Sequence, residues 1–335
     1  MTLPATVAGL ISLAVTLVAG RVLIRLMHSR GTGQYIRNWG PKVHEHKSGT
    51  PTMGGLAILT GLAAALFYIW FSVPEGRNLL ILFGVGTFGF GAIGLTDDVL
   101  SLVREQSKGL SYVEKILSQI AVASVFIFFV FQLTDQPTKL LLPFSSRVVI
   151  ISPVFYCLLV LFILVGTVNA VNLADGLDGL AASASLISIS AYGLIGSEIG
   201  LLFISAIFAA IVGLLWYNTY PAELFMGDTG AFALGGFLGA AAIVTNGEIF
   251  LPLLGGLFVI ESLSVLIQVI YYKTTGRRIF KISPLHHHFE SAEGIEYDYL
   301  LPKVEWREPK VTTRLLIIHL VIAGIGLIGH FLWIE

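Results

Sequence analysis

The feature that most constrains this chain is a succession of apolar runs, each long enough to cross a lipid bilayer. A spanning helix needs about 20 mainly apolar residues. Ten runs qualify, at roughly 3–27, 54–73, 79–95, 116–134, 149–167, 180–196, 200–217, 229–245, 249–272 and 314–334. Only 12% of the 335 residues are charged, against about 25% in soluble domains. A mean hydropathy of +0.84 is more apolar surface than a water-facing protein can bury, so the solvent is largely lipid. The runs are long and lack the two-residue alternation of an outer-membrane barrel, which argues against strands. The expectation is an all-α, polytopic integral membrane protein, one transmembrane domain over 1–335 with a single long loop at 273–313. The first run, Leu3 to Met27, has no small-residue cleavage pattern and ends in basic residues, so it reads as a retained span.

Lys and Arg accumulate on the cytoplasmic side of short loops. Fifteen of the chain's 20 fall in the odd-numbered loops, among them Arg30, Lys42, Lys47, Arg104, Lys108, Lys115, Lys273, Arg278 and Lys281. The even loops hold Arg77, Lys139 and Arg147. Odd loops are therefore expected in the cytoplasm and both termini outside. A net charge of −1 gives no field to attract nucleic acid. The single cysteine, Cys157, excludes an intrachain disulfide and a paired-cysteine metal site, and reads as a small apolar filler.

The odd loops also collect the chemistry. Asp97 and Asp98 end a glycine-rich apolar run. Carboxylates are costly at mid-bilayer and adjacent ones repel, so this pair is expected at the interface or in a wet cavity, relieved by a proton or a divalent cation. Asn169, Asn172, Asp175 and Asp178 recur every three residues, with Gly176 and Gly179 between the acids. That pattern suggests a broken helix end lined with amides and carboxylates. No Lys or Arg in the stretch can pair with them, so they call for a cation or a ligand rich in hydrogen-bond donors. Asn218, Phe225 and Asp228 share a third stretch, where Met226 to Gly230 reads as a tight turn whose amides could meet an anion. Phe225 suits either a core position or stacking on a base. His286, His287 and His288 are consecutive, about 100° apart on a helix, so they cannot all ligate one ion, and phosphate binding or proton handling fits better than zinc. Lys42, Lys47, Thr50 and Thr52 precede Gly54 and Gly55, a set suited to phosphate without being a nucleotide-binding P-loop. Acids for a metal and bases for phosphates on one membrane face are what phosphoryl chemistry requires.

The strings KSGTPTMGG at 47–55, TDD at 96–98, NAVNLADGLDGL at 169–180, NTYPAELFMGDTG at 218–230, PLHHHFE at 284–290 and WREPKV at 306–311 resemble, in order, the motifs of the polyprenyl-phosphate hexose-1-phosphate transferases. Within that family the chain is most similar to the branch that uses a muramoyl-pentapeptide donor. The resemblance implies ten helices in a bacterial inner membrane, with a cytoplasmic site, both termini periplasmic, and often a homodimer. It implies transfer from UDP-N-acetylmuramoyl-pentapeptide to undecaprenyl phosphate, giving lipid I and UMP with Mg²⁺. By the same carry-over, Asp228 would be the principal Mg²⁺ ligand, Asp97 a general base with Asp98 assisting, or a carboxylate would attack phosphorus directly. Asp175, Gly176, Leu177 and Asp178 would line a uridine pocket with Phe225 on the base. Lys47, Thr52, Asn172, Asn218 and Gln268 would contact the nucleotide sugar, and Lys115, His286, His287 and His288 the phosphates. The segment from Ser291 to Trp306 is longer than the family's usual linker. Two rival expectations are a sister enzyme using UDP-N-acetylglucosamine and an ion-coupled transporter. The transporter lacks the inverted repeat and midplane acids such proteins show.

Overall fold

The computed structural model describes residues 2–30, 49–104, 109–134, 138–145, 147–291 and 297–334. Lys42, Lys47 and Lys108 lie outside them. Eleven helices of five or more residues organise the described chain: α1 (Thr2–Arg30), α2 (Gly55–Ser72), α3 (Pro74–Val103), α4 (Tyr112–Leu133), α5 (Pro153–Ala174), α6 (Leu180–Ile195), α7 (Glu198–Asn218), α8 (Gly227–Val244), α9 (Gly256–Thr275), α10 (Leu285–Phe289) and α11 (Glu308–Ile334). Nine of these are long and apolar enough to cross a membrane, so the chain is an all-α polytopic membrane protein. The tenth expected span is α6, which is apolar but only 16 residues long.

Three departures from the expected layout matter. First, α3 does not stop near residue 95 but continues to Val103, so Asp97 and Asp98 sit on a helix and not in a loop. The helix tolerates them because other elements supply their partners, as described below. Second, α5 extends to Ala174 and carries Asn169 and Asn172, while the glycine-bearing stretch 175–179 is the break. Third, a two-stranded hairpin is present, β1 (Lys139–Leu141) antiparallel to β2 (Val148–Ile150) with Leu140 opposite Val149. Strands of three residues are too short for alternation to reveal. The long loop 273–313 contains α10, and Tyr299 pairs with Arg278 across it.

The bundle is arranged around α8, the most completely buried span, with α2, α3, α5 and α6 packed on it. In lipid no hydrophobic effect separates helices from acyl chains, so close association relies on small residues that let backbones touch. The glycines of α8 and its neighbours do this. A Cβ on Gly94 of α3 would lie 2.1 Å from the carbonyl oxygen of Asp228, and one on Gly55 of α2 would lie 2.0 Å from the Gly230 nitrogen. A π-helical stretch at Val85–Gly89 sits in α3 where Gly86 meets Gly236 of α8. These contacts clamp the start of α8 between α2 and α3.

Candidate active site

The start of α8 is the hub. Gly227 has φ +71°, a conformation glycine adopts freely. The turn it makes aims Asp228 at α4 and α5. Asp228 Oδ1 accepts a hydrogen bond from Asn172 Nδ2 at 2.8 Å, and Oδ2 accepts one from Lys115 Nζ at 2.7 Å. The same ammonium lies 3.1 Å from Asp97 Oδ2. Asp97 Oδ1 accepts the Leu110 amide at 2.6 Å. Four elements thus converge on two carboxylates bridged by one lysine. Asp97 is buried, whereas the side chains of Lys115 and Asp228 each keep 24% exposure, so the centre is approached from the Lys115–Asp228 side.

Asp98 does something else. Its carboxylate accepts the Asp228 amide at 3.1 Å, the Thr229 amide at 2.9 Å and the Thr229 hydroxyl at 2.6 Å. Helix N-termini leave backbone N–H groups without intrahelical partners. Asp98 satisfies those of α8 from a different helix, the service a capping residue normally provides locally. Within the Met226–Gly230 turn, the Asp228 and Thr229 amides are thus directed at the Asp98 carboxylate, which holds the start of α8 and with it Asp228.

The stretch 175–179 lies across from this centre. Asp178 is buried; its Oδ2 accepts the Ala222 amide at 2.9 Å, and its own amide donates to Glu308 Oε1 at 2.7 Å. Leu177 is buried as well, so Asp175 and Gly176 form the accessible lip. Loop 219–226 packs against the residues before α2: the Phe225 amide donates to Pro51, the Gly54 amide to Phe225, and the Gly55 amide to Met226. Phe225 stays half-buried, which leaves part of its ring accessible. Thr52 is buried, and a Cβ on Gly227 would sit 3.0 Å from its hydroxyl. Asn218 is buried and spends its amide on the Leu224 carbonyl at 2.9 Å. Gln268 accepts the Ile279 and Phe280 amides at 3.0 Å each and donates to the Phe280 carbonyl at 3.2 Å. Both side chains hold loop backbone.

The three histidines part company. His286 is fully buried, its Nδ1 3.2 Å from Glu261 Oε2 on α9. Its Nε2 faces Gly176, where a Cβ would come within 2.2 Å. His287 lies 2.5 Å from Glu290 Oε2 and keeps 19% exposure. His288 is buried and accepts the Lys281 amide at 3.1 Å through Nδ1. Burial, with the nearby Lys281 charge adding to it, pushes the His288 imidazole below its usual range. Through the bond from Lys281 the buried ring holds a loop amide. Lys281 is fully buried, and its ammonium donates to the carbonyls of Glu290 and Val304. Burial lowers its pKa too, against the opposing pull of Glu305 and Glu290. Glu261 and Lys281 escaped sequence reasoning. A lone acid inside an apolar run was the available signal for Glu261.

Carboxylate oxygen is the donor chemistry of a hard cation. Mg²⁺ commonly takes one or two protein carboxylates and completes its shell with water and phosphate oxygen. Asp228 and Asp97 fit that pattern. No group of three or more His, Cys, Asp or Glu among the described residues forms a metal-holding cluster.

Comparison with known proteins places these features in a family. The model of Glycosyl transferase family 4 matches residues 79–246. The Phospho-N-acetylmuramoyl-pentapeptide-transferase signature 1 matches residues 47–59, which end in the α2 turn packed against α8. A relative from Desulforamulus reducens is 42% identical over 97% of this chain and 96% of its own length. One from Desulforudis audaxviator is 41% identical over 98% of each, and one from Rubrobacter xylanophilus 38% identical over 96% and 95%. All three are named phospho-N-acetylmuramoyl-pentapeptide-transferase.

Proposed function

The chain belongs to the phospho-N-acetylmuramoyl-pentapeptide transferase family, and on that premise we propose that it carries out its transfer at the Asp97–Lys115–Asp228 centre. It is a multi-pass bacterial membrane transferase of peptidoglycan synthesis, moving phospho-N-acetylmuramoyl-pentapeptide from a UDP-activated donor to undecaprenyl phosphate, with lipid I and UMP as products. A sister activity on UDP-N-acetylglucosamine is not favoured by the signature or by the relatives' names. The observation that carries the residue assignment is the lysine shared by two carboxylates at the start of the central helix.

Phosphoryl transfer asks a protein mainly to position reactants and to neutralise charge. Asp228, with Asp97 beside it, would hold Mg²⁺, which when bound offsets charge on the diphosphate. Asp97 accepts the proton of the lipid phosphate as its oxygen attacks the sugar-bearing phosphorus. The bridge between the two donor phosphates breaks, and UMP leaves with the bonding pair. Asp97 is only 6% exposed, with both oxygens hydrogen-bonded or ion-paired. That favours proton acceptance over in-line attack on phosphorus, which needs an open oxygen. Lys115 supplies a mobile positive charge to the departing phosphate. Asp175, Gly176 and the accessible part of Phe225 suit the uracil and ribose. His286 and His287 would serve the donor phosphates. The site would open to the cytoplasm, with both termini outside, and the chain would work as a homodimer.

The test is UMP release by the full chain in detergent, with undecaprenyl phosphate present or omitted and with Mg²⁺ or chelator. The expected result is release that needs both. Release without lipid would indicate hydrolysis and overturn the transfer; full rate in chelator would overturn the metal assignment.

A further inference from the structure

Away from this centre, the basic end of α1 borders a cavity of about 630 Å³. Arg21, Arg25 and His28 line one wall, Gly49, Thr50 and Pro51 a second, and Ala222 with Glu223 a third. The three basic residues follow at four- and three-residue steps, so they share one helix face. All three are exposed. None of them has a hydrogen bond or ion pair among its described contacts, and none belongs to the residues holding further partners. Two guanidinium groups at the end of a span, beside a cavity and with no counter-charge bonded to them among the described residues, are available to an anion. Glu223 is the one acid among the described residues of the lining.

The next face of the same helix says what kind of anion. Val18, Val22 and Leu26 are 64%, 46% and 50% exposed, and their four-residue spacing sets them in a stripe beside the arginines. An apolar, lipid-facing stripe next to a cationic cavity matches a molecule with acyl chains and a phosphate headgroup. Basic pockets between helices at the membrane boundary hold such headgroups, and arginine binds phosphate through paired N–H groups.

We propose that this cavity binds the phosphate of an anionic membrane phospholipid, held by Arg21, Arg25 and His28, with the acyl chains lying along Val18, Val22 and Leu26. The walls tie the site to the centre already described. Pro51 accepts the Phe225 amide, and the Ala222 amide donates to Asp178. A bound headgroup braces the two loops that shape the candidate uridine pocket.

The full chain in a neutral detergent, titrated with phosphatidylglycerol and followed by its unfolding midpoint, tests this. A saturable rise is expected, absent with phosphatidylcholine at the same mole fraction and absent with inorganic phosphate at millimolar concentration. Each basic side chain near a headgroup contributes about 1 kcal/mol, so Arg21→Gln with Arg25→Gln should weaken half-saturation about 30-fold, while the double lysine variant keeps most of the affinity. Should the glutamine variant unfold in detergent, Glu223→Gln is the alternative, expected to tighten half-saturation about fivefold. An unchanged curve in the variant used, an equal rise with phosphatidylcholine, or an equal rise with inorganic phosphate overturns the proposal. The readout is lipid binding, so its failure leaves the transferase assignment standing.

Discussion

Glu261 and His286 face each other with no solvent access to either side chain: the carboxylate Oε2 lies 3.2 Å from the imidazole Nδ1 and accepts the His286 amide at 3.3 Å. Through that amide Glu261 holds the turn that carries the ring, and Nε2 is the nitrogen facing Gly176. Partners of this kind typically influence activity by about 10- to 100-fold. Glu261→Ala should lower kcat by that factor, with Glu261→Gln recovering part of it. A Glu261→Ala, His286→Ala double variant should be no slower than His286→Ala alone, because the two act as a unit. Additive losses in the cycle would show that Glu261 acts elsewhere.

Asp97 and Asp98 are neighbours with opposite commitments, so their variants should separate. Asp97→Asn removes the proton acceptor and should cost about 10²- to 10⁴-fold in kcat with little change in unfolding midpoint. Asp98→Ala takes three hydrogen bonds from the start of α8. A lost cap costs about 1–2 kcal/mol, so this variant should unfold earlier and lose activity through a misplaced Asp228. An Asp98→Ala protein as stable as the wild type would contradict the capping role.

Lys115 stands where a cation shared by Asp97 and Asp228 would compete with it. Lys115→Met should leave two adjacent carboxylates without their counter-charge. The variant should therefore be less stable in chelator and gain more from added Mg²⁺ than the wild type, while turning over more slowly. Asp228→Asn should abolish the Mg²⁺ response. Unfolding midpoints across a Mg²⁺ titration decide both; an identical response in wild type and Lys115→Met would mean that ion and lysine do not share the site.

Much of this architecture was legible beforehand for a physical reason. Bilayer thickness sets helix length, so apolar runs mark spans with little ambiguity. Gly176 and Gly179 marked the break after α5 because a glycine pair disfavours a regular helix. Partners distant in sequence were not legible. Nothing near Asp98 shows that residues 130 and 131 positions later bring it two backbone amides, nor that Leu110 and Lys115 let Asp97 remain on a helix. Gln268 and Asn218 carry the polarity of ligand-binding residues, yet their amides face loop carbonyls. Three adjacent histidines read as one motif, while the turn of α10 gives each a different environment.

That division gives His288 a pH signature of its own. Its imidazole is held below the usual 6.5, first by burial and then by the Lys281 charge. Between the depressed folded value and 6.5 the unfolded chain binds a proton that the folded chain refuses. Stability therefore rises with pH through this window. The contribution is fully present above about 6.5 and is lost as pH falls towards the folded value. Unfolding midpoints in detergent should drop from about pH 7 to about pH 5. His288→Asn, whose side-chain oxygen can still accept the Lys281 amide but does not titrate, should flatten part of that drop while costing some stability at neutral pH. A pH profile unchanged by the substitution would place the acid sensitivity in other groups and remove His288 from the account.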